Sequence, residues 1–222
     1  MPLTESKPTV LIVDDHVIIR RGLKFILESN FGIREYHETE SCAGLLEITS
    51  KEPITHIILD MQLTDGNVIE VLSDLISKHP EIRILVYTMS PEELFGARLM
   101  KMGVAGFLNK NTSEKEAIKA LDLFFRGLKY TSQLVHDQLE SSQQVKQINP
   151  FNDLSERELV VMNYLLLGEG IKEISTRMNI KSSTVATFKA RIFNKLRVSN
   201  VIDLKNLAEI FQMRKQPDKE AS

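Results

Sequence analysis

Asp60 closes the apolar run His56-Ile57-Ile58-Leu59, and an acidic pair, Asp14-Asp15, closes another, Val10-Leu11-Ile12-Val13. The same device recurs where Ile84-Leu85-Val86-Tyr87 ends in Thr88, and where Val104 to Leu108 is followed, after Asn109, by Lys110. If these runs are parallel strands of one open sheet, their carboxyl ends face a common crevice, which is where such folds bind ligands. Three acids, a hydroxyl and a lysine gathered there would hold a divalent cation and a phosphoryl group. Oxygen-only ligation suits magnesium, which takes a few carboxylates together with waters and phosphate oxygens. Asp60 is then the expected acceptor.

The elements around these residues have the pattern that the crevice requires. From residue 9 to about 127, short apolar runs alternate with stretches of helical period, the signature of a parallel sheet with crossover helices. Strands are expected near 9–14, 33–38, 55–60, 82–88 and 104–108. Helical stripes lie between them: Ile18, Leu23, Ile26 and Leu27 in one, Leu72, Leu75 and Ile76 in another. The run Ile33 to Glu38 alternates in polarity, which predicts a strand at a sheet edge. Residues 128–152 lose the period, and Ser141 to Gln147 is polar and low in complexity, so this stretch is expected to be a linker.

A second, helical unit follows. Ser155-Glu156-Arg157-Glu158 has the form of a capping box, and Gly168 and Gly170 end the helix that it opens. A short helix from about Ile171 to Met178, a turn at Asn179 to Ser182 and a longer helix to about Leu196 make a helix-turn-helix candidate. A last helix is expected over Val201 to Met213, capped by Asn200.

The formal net charge of −2 conceals an asymmetry: residues 1–135 carry 15 Lys+Arg against 19 Asp+Glu, and residues 150–222 carry 12 against 9. The mildly basic second part favours a nucleic-acid surface there, because phosphate backbones are bound largely by cationic neutralisation. The one cysteine, Cys42, makes neither an internal disulfide nor a zinc site. No apolar stretch approaches the roughly 20 residues that span a bilayer, and the first eight residues have no apolar signal region. A cytoplasmic protein that does not engage membranes is expected.

Taken in order, Val13-Asp14-Asp15-His16, Arg20, Gly22-Leu23, Asp60, Asp65-Gly66, Thr88 and Gly103 to Lys110 resemble a phosphoacceptor receiver domain. Leu154 to Glu158, Lys172-Glu173-Ile174, Ser183-Thr184-Val185 and Lys195-Leu196 resemble a LuxR/FixJ-type DNA-binding domain. Together they resemble a NarL-like two-component response regulator: a doubly wound α/β receiver with a five-stranded parallel, flavodoxin-like sheet over 1–127, a linker over 128–152, and an all-α four-helix domain over 153–215. The resemblance implies that Asp60 takes a phosphoryl group from a sensor histidine kinase. Asp14, Asp15, Asp60 and Gln62 would hold magnesium, Lys110 would pair with the phosphoryl oxygens, Thr88 would turn to bond them, and Phe107 would be the switch aromatic. It also implies double-stranded DNA as a partner and a homodimer in the phosphorylated or DNA-bound state, with the last helix as a dimer surface. No enzyme is expected.

Thr64, Val17 and Asn111 stand where such proteins commonly have proline, which leaves the loop after Asp60 without a ring to fix it. His16 reads as a polar residue of the first loop, and His37, His56, His79 and His136 as structural. Asp60-Met61-Gln62-Leu63-Thr64 also resembles a haloacid-dehalogenase-type phosphatase signature, but Gln62 replaces the second aspartate and cannot act as general acid and base. No Gly-x-x-x-x-Gly-Lys stretch exists for a P-loop. An alternative of another class is an unphosphorylated regulator whose receiver only mediates dimerisation.

With Val185, Phe188, Ile192 and Leu196 turned to the core, helical geometry puts Ser183, Thr187, Ala190 and Asn194 on the opposite face, flanked by Ala186 and Arg191. That face is expected to enter the major groove. Lys189, Lys195 and Arg197 are expected at phosphates, which sets register without reading sequence.

Overall fold

The computed structural model describes residues 8–141 and 150–212. Two compact units divide the chain between residues 140 and 141.

In the first unit, β1 (Val10–Val13), β2 (Tyr36–Thr39), β3 (His56–Leu59), β4 (Arg83–Thr88) and β5 (Gly106–Asn109) form one parallel sheet in the order β2-β1-β3-β4-β5. Five crossover helices join or follow the strands: α1 (Val17–Phe31), α2 (Cys42–Lys51), α3 (Val68–Lys78), α4 (Glu92–Met102) and α5 (Glu114–Phe125). Every residue of β1 is buried, as are Ile57, Ile58 and Leu59 of β3, because a central parallel strand is covered on both faces. That is why these strands read as unbroken apolar runs. β2 is half-exposed and lies at the edge, as its alternation implies.

The edge strand begins at Tyr36, three residues later than the alternation suggests. Gly32 takes the left-handed conformation (φ 65°) at the end of α1, and the Ile33 amide turns back to bond Leu27 O at 3.0 Å. Ile33 thereby joins Leu23 and Leu27 in the core instead of entering the sheet.

Part of the stretch read as a linker is built structure. Tyr130 forms a parallel bridge to Gly106, its amide bonds Ala105 O at 3.0 Å, and its hydroxyl lies 3.1 Å from Glu116 Oε1. A further helix, α6 (Gln133–Ser141), follows. Val135 is fully buried over Gly96 of α4, and Gln138 Nε2 donates to Glu93 O at 3.0 Å. Residues 142–149 of the expected linker lie outside the described residues.

The second unit opens with a 3-10 turn (Pro150–Asp153) and continues through α7 (Glu156–Leu166), α8 (Ile171–Met178), α9 (Ser182–Leu196) and α10 (Val201–Gln212). Both halves of the capping box at Ser155 and Glu158 form. Val161, Met162, Leu165, Ile174, Val185, Ile192, Leu196, Leu204 and Leu207 make its core. The Asn200 side chain accepts from the Asp203 amide at 2.8 Å and opens α10 as expected. Met213 and the expected domain end at residue 215 lie outside the described residues. Among the described residues no helix is long and apolar enough to cross a membrane.

Gly106 shows how closely residue 130 approaches the sheet, since a Cβ there would stand 2.7 Å from Leu85 Cδ1 and 3.1 Å from Tyr130 O. Gly106→Ala is expected to cost about 1–3 kcal/mol through overpacking. A urea midpoint unchanged from that of the unsubstituted protein would contradict this packing.

Candidate functional site

The sheet order reverses direction at β1, so the crevice between the carboxyl ends of β1 and β3 is the topological switch point. Each site residue stands at or just beyond a strand end, with its backbone still tied to the neighbouring strand. Asp14 N bonds Thr39 O at 3.1 Å, Asp60 N bonds Val13 O at 2.8 Å, and Lys110 N bonds Thr88 O at 2.9 Å. The ladder therefore sets how the functional side chains lie.

Lys110 Nζ lies 2.6 Å from Asp14 Oδ2 and 2.6 Å from Asp60 Oδ2. Asp14 and Asp60 are each 2% exposed. Two carboxylates this well buried are costly without a cation, and the lysine meets both. Burial pushes the Lys110 ammonium toward neutrality, but Asp60 and Asp14 outweigh it and hold its pKa above the ordinary lysine value. The other Asp60 oxygen, Oδ1, accepts from the Gln62 amide at 3.2 Å.

Asp14, Asp15, His16 and Asp60 each offer one ligand atom, all within 4.8 Å of one another. Asp15 Oδ1 is shielded from solvent and accepts no hydrogen bond of acceptable angle, although His16 Nδ1 stands 2.6 Å away. The pocket is acidic and compatible with a metal ion.

Thr88 is fully buried, with its hydroxyl 3.4 Å from Ser90 Oγ and accepting from the Ser90 amide at 3.3 Å. Phe107 is 1% exposed and lies within the sheet. Two residues quoted with the receiver motif, but given no role at the site, lie beside it. His16 lies over the acidic pair, not merely in the loop, at 3.2 Å from Asp14 Oδ1 and 2.6 Å from Asp15 Oδ1. Arg20 Nη1 donates to Asp14 O at 2.7 Å while its Nε pairs with Glu38 at 3.3 Å, bracing the acidic loop against the edge strand. Arg20 falls four residues after His16, one turn into α1, and that spacing was the available signal.

In the second unit, α8 ends at Asn179 in the left-handed conformation (φ 51°), with Ile180 N bonding Ser175 O at 3.1 Å. This turn sets α9 against α8. Val185, Ile192 and Leu196 are buried, and Ser183, Thr187, Ala190, Arg191 and Asn194 are exposed, as the helical spacing requires. Thr187 Oγ1 donates back to Ser183 O at 3.0 Å. Lys189 Nζ sits 5.3 Å from the Phe193 ring centroid, at the side of that face.

Lys195 differs from its expected place among the phosphate contacts. Its ammonium lies 2.7 Å from Glu158 Oε2 and 3.0 Å from Asp153 O, fastening α9 to the start of α7. Glu158 Oε2 also accepts from Ser155 N at 2.8 Å and Ser155 Oγ at 2.9 Å. The Lys195 hydrogen bond, followed by that from the Ser155 amide, brings the Glu158 pKa down to about 2.

Two family models match these units in order: the response regulator receiver domain over residues 10–122 and the bacterial regulatory proteins of the luxR family over residues 152–208. The chain is a response regulator. It is 31% identical over 201 residues to the response regulator GacA of Pseudomonas protegens, an alignment covering 90% of this chain and 94% of that one. It is 29% identical to the response regulator UvrY of Escherichia coli K12, with 90% and 92% covered. The fold resembles that of RcsB from Salmonella enterica serovar Typhimurium, solved on a promoter with a phosphomimetic, at a TM-score of 0.60 and 24% identity over 93% of this chain and all of that one. This response regulator pairs a receiver with a LuxR-type DNA-binding domain and belongs to the NarL/FixJ class. It is a two-component transcription regulator, not an enzyme.

A folded-state pKa of about 2 for Glu158 lies below the ordinary glutamate value of 4.5. The stabilisation that it contributes is full above pH 4.5 and is lost as the pH falls toward 2. The side-chain carboxyl resonance of Glu158 should therefore titrate near pH 2, and a midpoint near 4.5 would contradict the clasp with Lys195.

Proposed function

We propose that this response regulator accepts a phosphoryl group on Asp60 from a sensor histidine kinase in the cytoplasm, and that phosphorylation changes its hold on double-stranded DNA. The observation that carries this reading is the meeting of Asp60, Asp14 and Lys110 at 2.6 Å in the switch-point crevice of a receiver. The metal would be Mg2+, which Asp14, Asp15 and Asp60 would hold with a further oxygen from Gln62. Their oxygen donors suit a hard cation. When bound, Mg2+ supplies positive charge beside the phosphoryl oxygens. Phosphoryl transfer needs positioning and charge neutralisation more than covalent assistance.

The remaining roles fall to the chain. An Asp60 oxygen bonds to phosphorus as the phosphorus–nitrogen bond of the kinase's phosphohistidine breaks and its imidazole leaves, and the Lys110 ammonium follows the new negative charge onto the phosphoryl oxygens. Thr88, buried beside Ser90, exchanges its local hydrogen bonds for one to the phosphoryl group. Phe107 repacks with it, so the sheet edge toward α4 responds. Phosphorylation then acts as a population shift between states with different DNA or dimer surfaces. A homodimer on two half-sites gives a domain of this size useful affinity, with α10 as the dimer surface. A receiver that served only for constitutive dimerisation would not need this complete set of Asp14, Asp15, Asp60, Thr88 and Lys110.

On the DNA side, Ser183, Thr187, Ala190 and Asn194 enter the major groove, with Arg191 and Lys189 beside them. The two alanines offer methyl contact to thymine or shape readout. Lys195 contributes chiefly through its clasp on Glu158, which aims α9.

Incubated with a small phosphodonor and Mg2+, the protein should form one hydroxylamine-sensitive acyl phosphate, and Asp60→Asn should abolish it. Persistent labelling of that variant would place the acceptor elsewhere. In DNA titrations, Lys189→Ala should lower the slope of log affinity against log salt by about one unit for all sequences alike. Lys195→Ala should lower the stability of the second unit first. The opposite pattern, with Lys189 silent and Lys195 setting the salt slope, would reverse the two assignments.

A further inference from the structure

The loop from Asp60 to Asn67 presents both the acceptor and Gln62, yet Thr64 gives it no ring constraint. Its fixation comes from elsewhere in the chain. Asp65 Oδ1 accepts from the Cys42 amide at 2.8 Å, and Asp65 Oδ2 accepts from the Ala43 amide at 3.2 Å. These are first-turn donors of α2, which have no partner within their own helix. Ser41 Oγ takes the next one, Gly44 N, at 3.0 Å. One helix start is thus capped jointly by its own serine and by a carboxylate from a loop more than twenty residues away.

The contact is tight as well as polar. A Cβ at residue 66 would lie 3.1 Å from Cys42 Cβ and 3.2 Å from its Sγ, so the loop backbone rests on the first turn of α2. Met61 and Leu63 are buried on the acceptor side, and Asn67 caps α3 by accepting from Ile69 and Glu70. Burial works against the Asp65 carboxylate, but the amides of Cys42 and Ala43 hold its pKa below the ordinary aspartate value. A carboxylate also suits a helix N-terminus, where the macrodipole is positive.

We infer that Asp65 is a positioning residue for phosphoryl acceptance: its clasp on α2 supplies the constraint that proline would supply at residue 64, and so holds the Asp60–Gln62 backbone ready for metal and phosphoryl group. The inference rests on the reading of Asp60 as acceptor. It differs from a role in stability alone, because loosening one loop end changes the site's preorganisation even when the fold survives.

The test uses the full chain. Mn2+ binding is followed by electron paramagnetic resonance, acyl phosphate formation is timed with a small phosphodonor, and thermal unfolding is recorded beside both. Asp65→Ala is expected to weaken Mn2+ binding and slow phosphorylation by about five- to tenfold, the scale of a lost helix cap. Asp65→Asn keeps one accepting oxygen and should lose about two- to threefold, and it carries the test if the alanine variant does not fold. Adding Thr64→Pro to Asp65→Ala should restore most of both quantities without restoring the lost thermal stability in proportion. Wild-type Mn2+ affinity and rate in both Asp65 variants would overturn the inference. So would losses that follow thermal stability alone and are not relieved by Thr64→Pro. Unsubstituted protein that takes no label at all overturns the acceptor reading and the inference with it, whereas labelled wild type with silent Asp65 variants overturns the inference alone.

Discussion

Like charges held close together out of water are the constraint around which the first unit is arranged. Asp14 and Asp60 meet at adjacent strand ends because β1 and β3 pair in parallel and in register, Val13 opposite Leu59, so the next residue of each strand emerges at the same level. Left alone, such a pair would be pushed apart by its like charges. Lys110 prevents this by reaching both from beyond β5, two strands from β3. The order β2-β1-β3-β4-β5 is what brings that lysine and those acids to one end of the sheet. The apolar strand bodies serve the same end: fully covered on both faces, they fix the heights at which the three side chains leave.

How legible this was follows from the physics of each element. Buried parallel strands announce themselves as unbroken apolar runs, so β1, β3, β4 and β5, and with them Asp14, Asp60, Thr88 and Lys110, could be read directly from sequence. β2 could be placed at an edge, but its register could not be read. Whether Ile33 enters the sheet or the core was decided by the left-handed turn at Gly32 and by contacts with Leu23 and Leu27 on α1. Residues 130–141 were hidden for a related reason. α6 has one fully buried apolar side chain, Val135, and its seat is the bare backbone of Gly96, nearly forty residues earlier. A helix whose one fully buried side chain meets a residue so distant in sequence leaves little periodicity to detect.

Polar partnerships were the least legible, because residue type gives a charge but not its partner. Lys195 lies in a basic helix and reads as a phosphate contact, but Glu158, thirty-seven residues earlier, takes it. Glu158 was recognisable as the second half of a capping box, which specifies its bonds to Ser155 and says nothing of a lysine. The capping box therefore does two things: it starts α7 and it holds the C-terminal end of α9. Since the exposed face of α9 is the one aimed outward, the angle at which Thr187 and Asn194 are presented depends on a bond made by neither.

The ion clusters of the two units differ in their arithmetic. Glu158 and Lys195 balance one charge against one, and Ser155 donates twice more to the same oxygen, Glu158 Oε2. In the crevice, one lysine faces Asp14 and Asp60, and Asp15 stands in the same cluster. Three acidic side chains there meet one lysine, so acids outnumber the lysine in the cluster. That surplus of acids makes the pocket compatible with a metal ion. The Glu158–Lys195 pair is thus matched within the chain, whereas the crevice is not. Thr88 is tied to this cluster through the backbone, by the hydrogen bond that its carbonyl oxygen accepts from the Lys110 amide at 2.9 Å.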